Sequence, residues 1–68
     1  ALADLAHVLE VDPRNFDALA TLGILLEESD RPEKALEAYR EAQAIHPFLA
    51  DVNDAIDRLA RTLEGQEL

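Results

Sequence analysis

The sequence predicts an all-α domain of four helices, arranged as antiparallel helix–turn–helix pairs. Four stretches carry apolar residues at helical spacing. Most of them end at a proline or a short polar turn, where helices usually stop. The chain also overlays on itself when it is shifted by 34 residues, so one helical pair is the repeating unit. A single pair cannot bury its whole apolar surface, and we therefore expect pairs to stack into an α/α superhelix.

The first two helices are predicted over residues 1–11 and 16–28. The first ends before Pro13, because a residue that precedes proline is pushed out of the α region. Asn15 is a suitable N-cap for the second helix. Gly23 lies in the middle of the second helix, where it costs about 1 kcal/mol relative to alanine. We therefore expect another helix to approach closely at Gly23.

The last two helices are predicted over residues 32–45 and 49–63. Asp30, in the break before the third helix, can adopt a left-handed conformation, though less readily than glycine. Gly65 is predicted to end the fourth helix and to begin a polar tail over residues 64–68. Two oppositely charged i, i+4 pairs are expected on the outer side of the fourth helix: Asp54–Arg58 and Asp57–Arg61.

Composition limits the function classes that fit the chain. It has 68 residues, no cysteine and a net charge of −9. The negative charge disfavours nucleic acid and anionic membrane surfaces as partners and favours basic ones. No apolar run approaches the roughly 20 residues of a membrane span, and we expect a cytoplasmic location. Because residue 1 is not methionine, we also expect the sequence to be part of a longer chain.

Catalysis has little support in the sequence, and we expect neither an enzyme nor a cofactor. The two histidines, His7 and His46, are far apart and lack partners at metal-ligand spacing. We expect both to be solvated. Paired carboxylates such as Asp54 and Asp57 are better interpreted as solvated helix faces, since acid–base chemistry needs a pocket that raises one pKa.

A period of 34 residues built from paired helices resembles the tetratricopeptide repeat. In the overlay Pro13 falls on Pro47, and Leu22 falls on Ile56. The residues that carry the resemblance match the mutual spacings of the family pattern: Leu19, Leu22, Gly23, Leu26, Ala35, Tyr39, Ala42 and Pro47. The sequence departs from the pattern at Leu19, where tryptophan is more common, at Leu26, where tyrosine is more common, and at Asp30, where glycine is common.

The resemblance covers essentially the whole chain and implies how it is divided. Residues 1–13 resemble the second helix of a preceding repeat, and residues 16–47 form one complete repeat. Residues 49–63 resemble a first helix that caps the C-terminal end of an array, and residues 64–68 form a tail. The capping interpretation depends on Asp57, which falls where the complete repeat has Gly23.

The resemblance also implies a binding groove on the first helices of successive repeats, and hence a module for protein–protein interaction. We expect this groove to be acidic, with an aliphatic centre at Ile24, and to bind a basic or mixed apolar peptide or partner helix. The alternative is that the same residues merely solvate the face of a scaffold. The expected groove positions are Asp17, Ala20, Thr21, Ile24, Glu27, Glu28, Asp51, Asp54, Ala55 and Arg58.

A second alternative is a structural capping segment of a larger protein, which has no ligand of its own. If the partner of the first helix is missing, its apolar flank around Ala1, Leu5 and Val8 is exposed. Exposed apolar patches tend to associate, so this alternative predicts a homo-oligomer formed through the first helix.

Overall fold

The computed structural model describes residues 2–66 of the chain, and the side chains of residues 3–65. It contains four helices: α1 (Leu2–Val11), α2 (Phe16–Glu28), α3 (Pro32–Ile45) and α4 (Ala50–Gln66). No strand occurs in this part of the chain. The predicted all-α fold is confirmed, and the bounds of α2 and α3 agree with the prediction.

Each helix packs against the next one in the chain, so the molecule is a row of helices. Contacts join α1 to α2, α2 to α3, and α3 to α4. The connections are short and reverse the chain direction, which makes neighbouring helices antiparallel. The molecule is elongated, with extents of 39, 25 and 14 Å. This arrangement is the stacked helical pairing that the 34-residue period predicts.

The core lies along the seam of α2, α3 and α4, and half of its members are alanines. Small side chains let helices approach closely, as at Ala35 and Ala42, which have no exposed surface. Ala18 and Ala38 are buried as well. The buried apolar residues are Ala18, Leu19, Ala35, Leu36, Ala38, Tyr39, Ala42, Val52, Ala55 and Leu59.

Gly23 lies where α2 meets the ring of Tyr39. A Cβ atom built on Gly23 would lie 2.7 Å from Cε1 and 2.8 Å from Cζ of that ring. Real carbon atoms do not approach this closely without displacement. The close approach expected at Gly23 is therefore present, and the group that makes it is an aromatic side chain of α3.

The two ends of α2 have defined caps. Asn15 is the N-cap, and its Oδ1 accepts a hydrogen bond from the N–H of Ala18 at 3.1 Å. At the other end the N–H of Arg31 donates to the carbonyl of Leu26 at 2.8 Å. Asp30 has a φ of 60°, the left-handed conformation expected from the sequence.

The end of α4 differs from the prediction. The helix continues to Gln66, so Gly65 does not end it. No glycine in the described part of the chain has a positive φ, and Gly65 therefore lacks the left-handed conformation that ends many helices. Residues 64–66 of the predicted tail are helical, and residues 67–68 lie outside the described residues.

Candidate functional site

A groove of about 650 Å³ separates α2 from α4 on one side of the molecule. Both helices pack on α3, which lies between them and leaves the groove open above it. Since α3 reverses the chain direction, α2 and α4 run the same way. Their first turns form one end of the groove, with Asp17 and Asp51, and Glu27 and Arg58 form the other end.

Most of the groove positions expected from the sequence line this cavity. They are Asp17, Ala20, Ile24, Glu27, Glu28, Asp51, Ala55 and Arg58. Thr21 and Asp54 do not line it, although both are exposed.

Sequence reasoning missed five lining residues: Phe16, Tyr39, Leu49, Ala50 and Val52. Phe16 and Ala50 begin their helices, so the helical period of the groove faces could have indicated them. Tyr39 comes from the helix beneath the groove. Its presence depends on how closely α2 and α3 pack, which a helical period alone does not reveal.

The groove combines an apolar centre with an acidic border. Ile24 keeps 50% of its surface exposed, which is unusual for a large aliphatic side chain in this molecule. Beside it lie the small side chains of Ala20 and Ala55. The charged lining residues are Asp17, Glu27, Glu28, Asp51 and Arg58, so four carboxylates face one guanidinium and the groove has a net charge of −3.

A cluster of three hydrogen-bonded side chains, which we call the Glu27 cluster, closes one end of the groove. Arg58 donates to Glu27 from Nη1 to Oε2 at 2.5 Å and from Nη2 to Oε1 at 3.2 Å. The hydroxyl of Tyr39 donates to Oε1 of Glu27 at 2.7 Å. Two-point pairing of arginine with carboxylate is among the stronger polar contacts in proteins. The cluster therefore joins α2, α3 and α4 through one carboxylate.

The cluster shifts the protonation equilibria of its members. The hydrogen bonds from Arg58, with a smaller contribution from Tyr39, hold the pKa of Glu27 below its ordinary value of 4.5. Burial, and then the hydrogen bond to Glu27, raise the pKa of Tyr39 well above 10. Both shifts favour an ionised Glu27 beside a neutral Tyr39 at neutral pH.

Arg58 does not form the local pair predicted with Asp54. Its guanidinium instead pairs with Glu27, which is 31 positions away in the chain. The side chain of Glu27 is only 20% exposed, and its carboxylate is already hydrogen-bonded to Tyr39. A less hydrated acceptor forms the stronger ion pair, because screening by water is weaker there.

Comparison with known proteins relates the sequence to one family. The sequence profile of the tetratricopeptide repeat matches residues 5–37, from α1 into α3. A TPR repeat-containing protein of Rhizobium etli is 29% identical over 65 residues, which cover 96% of this chain and 32% of that protein. These two matches support assignment of the chain to the tetratricopeptide repeat family. The chain spans about a third of the length of this relative, and no solved structure matches it.

Tetratricopeptide repeats typically mediate protein–protein interaction, so the match suggests an interaction scaffold. The residues that carry the family pattern lie mostly in the core of this chain. Leu19, Gly23, Ala35, Tyr39 and Ala42 are buried. The pattern therefore describes mainly how the helices pack.

Both histidines of the chain are exposed. The ring of His46 lies 5.3 Å from the ring of Phe16, at the junction of α3 and α2. Among the described residues, no group of three or more histidine, aspartate and glutamate side chains is arranged to hold a metal ion. No helix in the described part of the chain is long and apolar enough to cross a membrane.

Proposed function

We propose that the groove between α2 and α4 binds an extended segment of another protein that carries basic side chains on both sides of one aliphatic side chain. The observation that supports this proposal best is the half-exposed Ile24 at the centre of an acidic groove. The aliphatic side chain of the partner would pack on Ile24, and its basic side chains would face the carboxylates at either end.

The apolar part of the proposal rests on the space around Ile24. Ala20 and Ala55 are too small to cover Ile24, and they leave room for a side chain from outside. Fully burying a leucine side chain contributes roughly 1.5–3 kcal/mol. This free energy is enough for one anchoring side chain but not for tight binding. The peptide would therefore need further polar contacts.

The electrostatic part of the proposal rests on the groove's charge. Asp17 and Asp51 lie 34 positions apart, so the repeat brings equivalent carboxylates to the same end of the groove. Glu28 lies at the opposite end. A partner with positive charges at both ends complements this pattern, whereas an acidic partner would be repelled.

Calorimetric titration with a short capped peptide, in which one leucine lies between two arginines, tests the proposal. We expect Ile24→Ser to weaken binding by about tenfold, because the anchor loses its apolar contact. Val11→Ser is the matched control, since Val11 is 77% exposed and does not line the groove. Equal effects of the two substitutions, or equal binding of a peptide with glutamates in place of the arginines, would contradict the proposal.

We propose further that α4 caps the C-terminal end of the repeat array. Two polar residues occupy positions where α2 has core residues: Asn53 is equivalent to Leu19, and Asp57 is equivalent to Gly23. Asn53 accepts a hydrogen bond from Gln43 at 2.8 Å and donates to the carbonyl of Pro47 at 3.1 Å. Asp57 is exposed. This face of α4 is suited to water rather than to another helix.

Sedimentation velocity tests the capping proposal. The double substitution Asn53→Leu with Asp57→Gly restores an apolar helix face. We expect the variant to associate at lower protein concentration than the original chain. Identical sedimentation of the two proteins across the concentration range would show that the polar face does not limit stacking.

A further inference from the structure

We propose that Arg58 is an internal occupant of the groove, which a basic side chain of the partner must displace from Glu27. The inference rests on the proposed function, because it concerns the regulation of the same site. It assigns to Arg58 a role in setting affinity and selectivity, in addition to its role in joining α4 to α2.

The geometry of the ion pair supports this role. Arg58 extends from α4 across the groove and reaches Glu27 near the end of α2. Both oxygens of Glu27 are already occupied, by the guanidinium and by the hydroxyl of Tyr39. A partner's arginine therefore cannot form a two-point pair with Glu27 unless Arg58 leaves.

The two members of the pair differ in how firmly they are held. Glu27 is 20% exposed and is also bound by Tyr39, whereas the side chain of Arg58 is 59% exposed. The carboxylate is thus the fixed component and the guanidinium the exchangeable one. Arginine side chains on a surface adopt many rotamers, so release of Arg58 regains conformational entropy.

Exchange of one guanidinium for another conserves the contacts of the cluster. An arginine of the partner can form the same two-point pair with Glu27 and leave the hydrogen bond from Tyr39 in place. The released Arg58 has Asp54 one helical turn before it on α4, at the i, i+4 spacing of a surface ion pair. The exchange therefore needs no buried charge to be left without a counter-charge.

The repeat shows that α4 carries an arginine at this position and that α2 does not. Arg58 lies 34 positions after Ile24, so α4 has a long basic side chain where α2 has an aliphatic one. Without the guanidinium, the charged groups that line the groove would be Asp17, Glu27, Glu28 and Asp51 alone. Arg58 thus lowers the affinity of the groove for cations. An arginine, which can form the same two-point pair with Glu27, should displace Arg58 more readily than a lysine does.

A pair of variants with the same change in net charge tests the inference. Arg58→Gln removes the occupant, and Arg61→Gln removes an exposed arginine that does not line the groove. The probe is the capped peptide with one leucine between two arginines, titrated by calorimetry. We expect Arg58→Gln to bind it about two- to fivefold more tightly than Arg61→Gln does, the range for an exposed ion pair.

Other results separate this inference from the proposed function. Equal binding by the two variants, or weaker binding by Arg58→Gln, overturns the proposal that Arg58 must be displaced. Such a result leaves the groove as a binding site. Absence of binding by the original chain and by both variants overturns both proposals. If Arg58→Gln does not fold, as judged by circular dichroism, Arg58→Lys replaces it, because lysine keeps the charge and loses the two-point pair. Tighter binding by Arg58→Lys than by the original chain supports the inference, and unchanged or weaker binding overturns it.

Discussion

At Gly23 the absence of a side chain sets how closely α2 packs on the ring of Tyr39. A Cβ atom would lie 2.7–2.9 Å from three atoms of that ring. The ring is buried, and its hydroxyl is hydrogen-bonded to Glu27, so it cannot move aside as a flexible chain end could. A substitution that favours the helix, such as alanine, should therefore destabilise the protein at this position.

We expect Gly23→Ala to lower the free energy of unfolding by about 1–2 kcal/mol, because overpacking outweighs the gain of about 1 kcal/mol in helix propensity. Gly65→Ala is the matched control, since Gly65 is also helical but has no atom within 4 Å of its built Cβ. We expect it to be neutral or slightly stabilising. Urea denaturation measures both. A Gly23→Ala variant as stable as the original chain would contradict the close-packing interpretation.

Tyr39 makes stability sensitive to alkaline pH. Its pKa is raised above 10 in the folded state, mainly by burial, so folding disfavours the phenolate. The stabilisation is complete below pH 10 and is lost as the pH rises through the folded pKa. Glu27 makes stability depend on pH in the opposite direction. Its pKa is lowered in the folded state, so its contribution to stability is present above pH 4.5 and is lost as the pH falls through the folded pKa.

We expect Tyr39→Phe to lower the free energy of unfolding by about 1.5 kcal/mol at neutral pH, because the hydrogen bond to Glu27 is lost. The difference from the original chain should shrink above pH 10, since phenylalanine has no proton to release. Urea denaturation at pH 7 and at alkaline pH measures this. A difference that does not change with pH would show that the phenol does not resist ionisation in the fold.

Core residues were predictable from the sequence where they are large, apolar and placed at helical spacing, as Leu19 and Leu59 are. Ala18 and Ala38 were not, because alanine fits buried and exposed helix faces equally well. The pairing of Arg58 with Glu27 was also not predictable. Rules of local spacing consider partners on the same helix, and this pair depends on the distance between two helices.

At the scale of the element, the connection between α2 and α3 follows a defined capping geometry. The N–H of Arg31 donates to the carbonyl of Leu26, and the N–H of Asp30 donates to that of Glu27 at 3.1 Å. These are the two bonds of the Schellman motif, which needs a left-handed residue after the helix. Asp30 occupies that position with a φ of 60°, where glycine carries no steric cost.

We expect Asp30→Gly to raise the free energy of unfolding by about 0.5–1 kcal/mol, because it relieves a left-handed conformation that costs an L-residue about 1–2 kcal/mol. Ser29→Gly is the control: Ser29 has a φ of −88°, so glycine there adds only flexibility and should destabilise slightly. Thermal denaturation of the two variants and the original chain measures these changes in stability. Destabilisation by Asp30→Gly would show that the aspartate side chain contributes more than its backbone conformation costs.

Helix bounds were predictable because their signals are local. Asn15 caps α2, and Pro32 is found at the start of α3, as the sequence indicates. The end of α4 was predicted too early. A glycine ends a helix only when the chain turns into the left-handed region after it, and Gly65 has no such turn.

At the scale of the whole molecule, the groove follows from the repeat. A shift of 34 residues brings α2 onto α4, so both helices present equivalent faces on the same side of α3. The sequence could therefore predict most of the lining, including Asp17 and Asp51. The interaction across the groove was not predictable, because Glu27 and Arg58 are not at equivalent positions of the two helices.

Self-association through α1 stays a prediction. Val8 is 39% exposed and Val11 is 77% exposed, whereas Leu5 and Leu9 are half-buried. Sedimentation over a range of concentrations tests the prediction. A sedimentation coefficient that rises with concentration, and does so less after Val8→Ser, is the expected result. A monomer throughout the range would dispose of the prediction.

The central claim, that the α2–α4 groove binds a basic segment with one aliphatic anchor, is tested most directly by amide chemical-shift mapping. The peptide with one leucine between two arginines is titrated into isotopically labelled protein. We predict saturable shifts centred on Asp17, Ile24 and Glu28, which weaken as salt screens the groove carboxylates. Shifts confined to the outer face of α3, at Glu33 and Glu37, or no shifts at all, would contradict the claim.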